Sequence, residues 1–155
     1  MMASDLLCGS LAGTYRGAAI DSRRLAGGEL FFAFRGEHTD GHRFVGDALR
    51  AGARAAVVER CFAADHTEAL DAWQREGTVL GVEAGLEALH ALTRGVRRQV
   101  PEHLVAITGS AGKTTTKEIL AALLATRYRV ARSPGNLNNL LGFPLALLGI
   151  PADTE

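Results

Sequence analysis

The stretch Thr108-Gly109-Ser110-Ala111-Gly112-Lys113-Thr114-Thr115-Thr116 limits what this chain can fold into more than any other segment. The apolar run His103-Leu104-Val105-Ala106-Ile107 leads into it, and a helical pattern from Lys117 to Leu124 follows. Strand, glycine-rich turn and Lys-Thr at a helix start make a cradle for a nucleoside triphosphate. The glycines let backbone N–H groups converge on phosphate oxygens, and the helix dipole favours the negative charge. On this reading Thr108, Gly109, Ser110, Ala111, Gly112, Lys113, Thr114 and Thr115 bind ATP. Lys113 is the catalytic cation on the β/γ-phosphates, and the Thr114 hydroxyl is the ligand offered to Mg²⁺. The general pattern wants a glycine five residues before Gly112, where this chain has Ile107, so the loop is a shorter form. A glycine-rich turn with an accidental lysine is the alternative, and the flanking strand and helix patterns argue against it.

Composition narrows the class. Hydrophobic residues make up 47% of the 155 and charged ones 22%, a globular balance. Seventeen basic and seventeen acidic residues cancel, so nothing points to a nucleic-acid surface. The longest uncharged apolar stretch, Leu137 to Pro151, holds two Asn, two Gly and two Pro and is too short to span a bilayer. The start of the chain lacks the basic-then-apolar layout of a signal peptide. Cys8 and Cys61 are isolated thiols without CxxC spacing, which indicates neither zinc nor a disulfide framework. The expectation is a reduced, cytoplasmic, monomeric protein without membrane insertion.

The fold class expected is α/β, in two parts: a small α/β domain over residues 1–82, then the beginning of a mainly parallel-sheet, P-loop domain over 83–155. Leu30 to Phe34, Ala55 to Val58 and Thr78 to Val82 read as strands. His42 to Ala51 reads as a helix that Gly52 closes, and a further helical stretch runs through Trp73. Glu83 to Val100, with Leu86, Leu89, Leu92 and Val96 on one face, reads as a helix stopped by Pro101. Arg129-Val130-Ala131 reads as a short strand, and Leu140 to Ile150 as a largely buried helix with Pro144 in its first turn. Two strands are too few for a parallel ATP-binding sheet. The second domain is therefore expected to be incomplete, and the chain a fragment.

Three other constellations carry polar groups. Asp21-Ser22-Arg23-Arg24, read locally, is a solvated turn before it is a loop offering a hydroxyl and guanidinium groups to a phosphate. Asp40-Gly41-His42 lies beyond the end of the first clear strand, where ligands gather in α/β folds, and Asp40 or Thr39 could cap the following helix. The histidines here lack metal-ligand spacing. Gly135-Asn136-Leu137-Asn138-Asn139 is either a tight turn or a set of amides facing the triphosphate, and its place after the strand beside the phosphate loop favours ligand contact. Lys117 and Glu118 read as ordinary exposed helix residues.

Taken together, these residues resemble the Mur ligase family, the ATP-dependent amide-forming enzymes of peptidoglycan precursor synthesis. Thr108 to Thr114 is similar to that family's phosphate loop, including the absent first glycine. Asp21-Ser22-Arg23, Gly28 to Ala33 and Asp40-Gly41-His42-x-Phe44 resemble the N-terminal domain of two of its branches. Thr116-Lys117-Glu118 and Gly135-Asn136-Leu137-Asn138-Asn139-x-x-Gly142-x-Pro144-Leu145 are similar to the branch that adds D-Ala-D-Ala to UDP-N-acetylmuramoyl-tripeptide. Ala111 stands where Asn is common in the family, and Phe143 where Val is usual. The resemblance implies an acyl-phosphate mechanism using ATP and Mg²⁺, with Ser22, Arg23, Asp40, Gly41, His42, Asn136, Asn138 and Asn139 on the UDP-substrate. It also implies a further metal-binding carboxylate, a carbamoylated lysine and another domain outside these residues, so the chain alone is expected to be inactive. The rival readings are the branch that adds the third amino acid, a folylpolyglutamate synthase relative, and a non-catalytic module that binds a nucleotide or UDP-muramoyl-peptide.

Overall fold

A computed structural model describes residues 14–36, 39–98, 103–135 and 139–155. The chain divides into two compact units, up to Leu92 and from Thr93 onward.

The first unit is built on a four-stranded, all-parallel sheet in the order β1 (Ala18–Ala19), β2 (Leu30–Phe32), β3 (Ala55–Glu59), β4 (Val79–Val82). Leu30 sits opposite Ala55, and Ala56 opposite Val79. Strands β2 and β4 are buried at every residue, and β3 at all but Glu59. That is why they read as continuous apolar runs instead of alternating ones: helices cover parallel sheets on both faces. Between β2 and β3 run a 3₁₀ turn, Gly41–Phe44, and α1, Val45–Arg50. Gly52, at φ +93°, ends that helix in the left-handed conformation glycine tolerates. Two helices, α2 (Arg60–Asp65) and α3 (Thr67–Glu76), connect β3 to β4 where one helical stretch was expected. Phe31, Val45, Ala48, Ala56, Val58 and Val79 form the core, with Trp73 packed against its edge. α4, Gly85–Arg97, is somewhat shorter than its pattern and buries Leu89 fully.

The second unit has α5, Lys113–Leu124, and α6, Gly142–Leu148. The strands expected at 103–107 and 129–131 do not form: no β-ladder exists among the described residues of this unit. Leu104 and Val105 remain 44% and 61% exposed. A strand exists only through its partners, so apolar, β-branched sequence by itself leaves an extended segment. α6 is also shorter than its pattern, with Leu140 exposed and Pro144, Leu147 and Leu148 buried.

Candidate functional site

The phosphate loop and α5 have the geometry an anion site needs. Gly112 caps the helix at φ +78°, and no heavy atom lies within 4 Å of where its Cβ would be. Glycine is required there for backbone conformation, not for packing. Gly109 has φ +152°. Thr116 N–H makes the first intrahelical bond, to Gly112 O at 2.9 Å, so the N–H groups of Lys113, Thr114 and Thr115 have no carbonyl partner within the helix. Three donors and the positive end of a twelve-residue helix converge on the loop. Lys113 folds over it, donating from Nζ to Gly109 O at 2.5 Å and Ser110 O at 3.4 Å.

A cleft of about 730 Å³ reaches the start of α5, with its lining residues all in the second unit. Lys113, Thr114 and Lys117 from α5 line it together with Ser133, Gly135 and the apolar Leu120 and Leu124. Lys117 is not the ordinary exposed helix residue expected from sequence. Only 18% of its side chain is accessible. Its Nζ donates to Ser133 O at 2.8 Å and Gly135 O at 3.3 Å. Glu118 pairs with Arg132 and lies 3.5 Å from the Lys117 ammonium. The four-residue spacing from Lys113 puts both lysines on one helix face, and that is the only sequence signal for the role.

Asn136 and Asn138 lie outside the described residues. Asn139 spends its side-chain carbonyl on the start of α6, accepting from Leu141 N–H at 3.2 Å and Gly142 N–H at 2.6 Å. Its amide NH₂ is the part left to offer a ligand.

In the first unit the UDP-substrate candidates leave neighbouring strands on one side of the sheet. The 3₁₀ turn Ser22–Arg24 follows β1, and the loop from Arg35 to Gly41 follows β2, its parallel neighbour. Both loops therefore exit at carboxyl ends of adjacent strands, the usual ligand edge of an α/β sheet. Asp21 caps its turn and grips the Arg23 guanidinium with both carboxylate oxygens, at 2.9 and 2.8 Å. The Arg23 side chain is 86% exposed. Its hydrogen bonds lower the Asp21 carboxyl to about 2.

Asp40 does the same for the next turn, accepting from His42 N–H at 3.0 Å. Burial raises the Asp40 carboxyl, but the hydrogen bonds from the His42 backbone and ring, together with the nearby positive charge, outweigh it and leave it lowered. His42 itself is 2% exposed and has no polar atom free. Nδ1 meets Asp40 Oδ1 at 2.7 Å, Nε2 faces Glu59 N–H at 3.4 Å, and the ring stacks on Phe62. Asp40 only accepts and the Glu59 amide only donates, so the proton belongs on Nδ1. Gly41 lies so near β2 that a Cβ there would be 2.7 Å from Phe34 O.

Residues 14–140 match the Mur ligase family, catalytic domain. The chain belongs to the Mur ligase family. Its relatives include the UDP-N-acetylmuramoyl-tripeptide–D-alanyl-D-alanine ligase of Bacillus subtilis, 37% identical over 90% of this chain and 29% of the relative's length. A crystal structure of MurF from Acinetobacter baumannii superposes with a TM-score of 0.70 at 36% identity, over 88% of this chain and 28% of that one. MurF from Thermotoga maritima, solved in complex with ADP, matches with a TM-score of 0.64 at 35% identity, over 86% of this chain and 29% of that one. This Mur ligase chain thus spans less than a third of the length of these relatives. Among its described residues no helix is long and apolar enough to cross a membrane.

Proposed function

We propose that this chain is the UDP-substrate-binding domain and the start of the ATP-binding domain of a ligase that adds D-Ala-D-Ala to UDP-N-acetylmuramoyl-tripeptide. The observation that carries the reading is one cleft lined together by Lys113 and Thr114, which follow the phosphate loop, and by Ser133 and Gly135. Residues 1–82 take the UDP-substrate and residues 83–155 contribute the ATP cradle. ATP binds along Thr108 to Thr115, its phosphates on the N–H groups at the start of α5. Lys113 leaves its loop carbonyls for the β/γ-phosphates.

Mg²⁺ would be held by the Thr114 hydroxyl and the nucleotide's own phosphates, and would neutralise phosphate charge there. The tripeptide's terminal carboxylate attacks the γ-phosphorus as the bond to the β-phosphate oxygen breaks, giving an acyl phosphate and ADP. The D-Ala-D-Ala amine then attacks the acyl carbon. Phosphate leaves, the nitrogen gives up a proton, and the amide remains. The residues present here act by positioning and by charge neutralisation.

Ser22 and Arg23 meet the uridine diphosphate end. Asp40, Gly41 and His42 give the adjoining loop its shape. Asn136, Asn138 and the Asn139 amide approach the substrate near the ATP site. The protein works as a cytoplasmic monomer.

The test takes the polypeptide that carries this chain together with the remaining length its relatives have. Given ATP, Mg²⁺, UDP-muramoyl-tripeptide and D-Ala-D-Ala, it is expected to yield ADP and a product heavier by the dipeptide less one water. Reaction of UDP-muramoyl-dipeptide with a diamino acid instead would reassign it to the sister branch. The 155 residues alone are expected to release no phosphate.

A further inference from the structure

We propose that Lys117 is a positioning residue that fixes the Arg132–Gly135 segment against the phosphate helix and so sets the distance over which phosphoryl transfer takes place. The proposal rests on the ligase reading for its kinetic consequence, but not for its structural one.

Lys117 sits one helical turn beyond Lys113, away from the positive end of α5 where phosphate is drawn. Its ammonium has three donors. Two are spent on Ser133 O and Gly135 O, and the Glu118 carboxylate lies on its remaining side at 3.5 Å. Glu118 in turn holds Arg132. Two consecutive side chains of α5 therefore grip three residues of the facing segment: one through its guanidinium and two through backbone carbonyls. Backbone carbonyls cannot turn away as side chains do, so holding two of them fixes the path of the segment rather than one rotamer. Ser133 and Gly135 line the same cleft as Lys113 and Thr114. Lys117 thereby sets where a group held by that segment stands relative to a phosphate at the start of α5. Two of its three donors are held on carbonyl oxygens and the Glu118 carboxylate lies on its remaining side, so the ammonium is committed to the segment and not to the nucleotide.

The experiment compares Lys117→Met and Lys117→Arg with the wild type in the full ligase. Loss of the clamp should lower kcat by about 10- to 100-fold, the scale that an ångström of misplacement costs. The Kd for ATP should stay within about twofold, because no transition-state-independent contact is removed. The guanidinium introduced by Lys117→Arg also donates to paired carbonyls and should recover most of the loss. Unchanged kcat in Lys117→Met, or a loss appearing wholly as weaker ATP binding, would overturn the proposal; the latter would make Lys117 a phosphate ligand. Hydrogen exchange on the same proteins separates this from the ligase reading. Amides of residues 129–135 should exchange at least about tenfold faster in Lys117→Met than in wild type, and not in Lys117→Arg. If the wild type fails to ligate D-Ala-D-Ala, the ligase reading falls while exchange still judges the clamp, and unaltered exchange in Lys117→Met would refute it.

Discussion

Lys113 Nζ lies 2.5 Å from the carbonyl oxygen of Gly109, four residues back in its own phosphate loop. The cation that the proposed chemistry needs on a phosphate is held by the loop that would receive it. A phosphate oxygen is a stronger, charged acceptor than a carbonyl, so the exchange favours the nucleotide. Lys113→Met should therefore cost little stability, since the residue is only half-buried and its partners can turn to water. ATP affinity should fall about 10- to 100-fold, the loss of a hydrogen bond to a charged group. Isothermal titration with Mg-ATP checks this, and equal affinities in the two proteins would remove Lys113 from the site.

Gly41 carries a sharper constraint. A methyl group there would meet two backbone atoms of Phe34, its oxygen at 2.7 Å and its nitrogen at 2.9 Å, with nowhere for either to go. Gly41 N–H also donates to Phe34 O at 2.8 Å, which ties the loop to the end of β2. Gly41→Ala should destabilise the first unit by about 1–3 kcal/mol, the usual cost of overpacking. Urea unfolding reads it directly; an unshifted midpoint would mean that the loop relaxes freely.

The first unit was largely legible in the sequence because its signals are local. Ala55-Ala56-Val57-Val58 and Thr78 to Val82 are continuous apolar runs between turn residues, and they form β3 and its buried neighbour β4. Gly52 ends α1 as its position suggested. The 103–107 segment has strand-like residues yet forms no strand, because ladder pairing is a property of two segments and not of one. The role of Lys117 was hidden for a similar reason. Its partners are carbonyl oxygens sixteen and eighteen residues away, and a carbonyl leaves no mark on residue identity. His42 was legible as lying in the loop beyond the first clear strand, but its burial depends on Phe62 and Glu59 from the next strand–helix unit.

Asp21 titrates at about 2 instead of its ordinary 3.8, through the side-chain hydrogen bonds from Arg23 first and the Arg23 backbone N–H next. The folded value is depressed, so the contribution of the pair is complete above the ordinary value and disappears as pH falls through about 2. The turn that presents Ser22 should thus keep its shape across the whole mildly acidic range. Carboxyl ¹³C titration is expected to place the Asp21 midpoint near 2, and Arg23→Ala should return it toward 3.8. A midpoint near 3.8 in the unaltered chain would show that Arg23 swings free, available to phosphate without competition from Asp21.

His42 can act on a ligand only through its neighbours. Its ring ends a stack that runs on through Phe62 to His66, with centroids 4.1 and 4.0 Å apart. Replacing it with phenylalanine keeps the stacking surface and removes both nitrogens. Glu59 N–H then loses its acceptor and Asp40 Oδ1 loses its ring donor, while the backbone cap from the residue-42 N–H survives. Leaving a buried donor unpaired costs about 1–3 kcal/mol, so His42→Phe should lower the unfolding free energy by that amount. Binding of UDP-muramoyl-peptide should weaken only as far as the Asp40 loop loosens. A direct ligand would behave in the opposite way, with unchanged stability and lost affinity. Thermal unfolding and UDP-substrate titration on the same variant therefore distinguish the two roles, and a stable variant that cannot bind would return His42 to the substrate's first contacts.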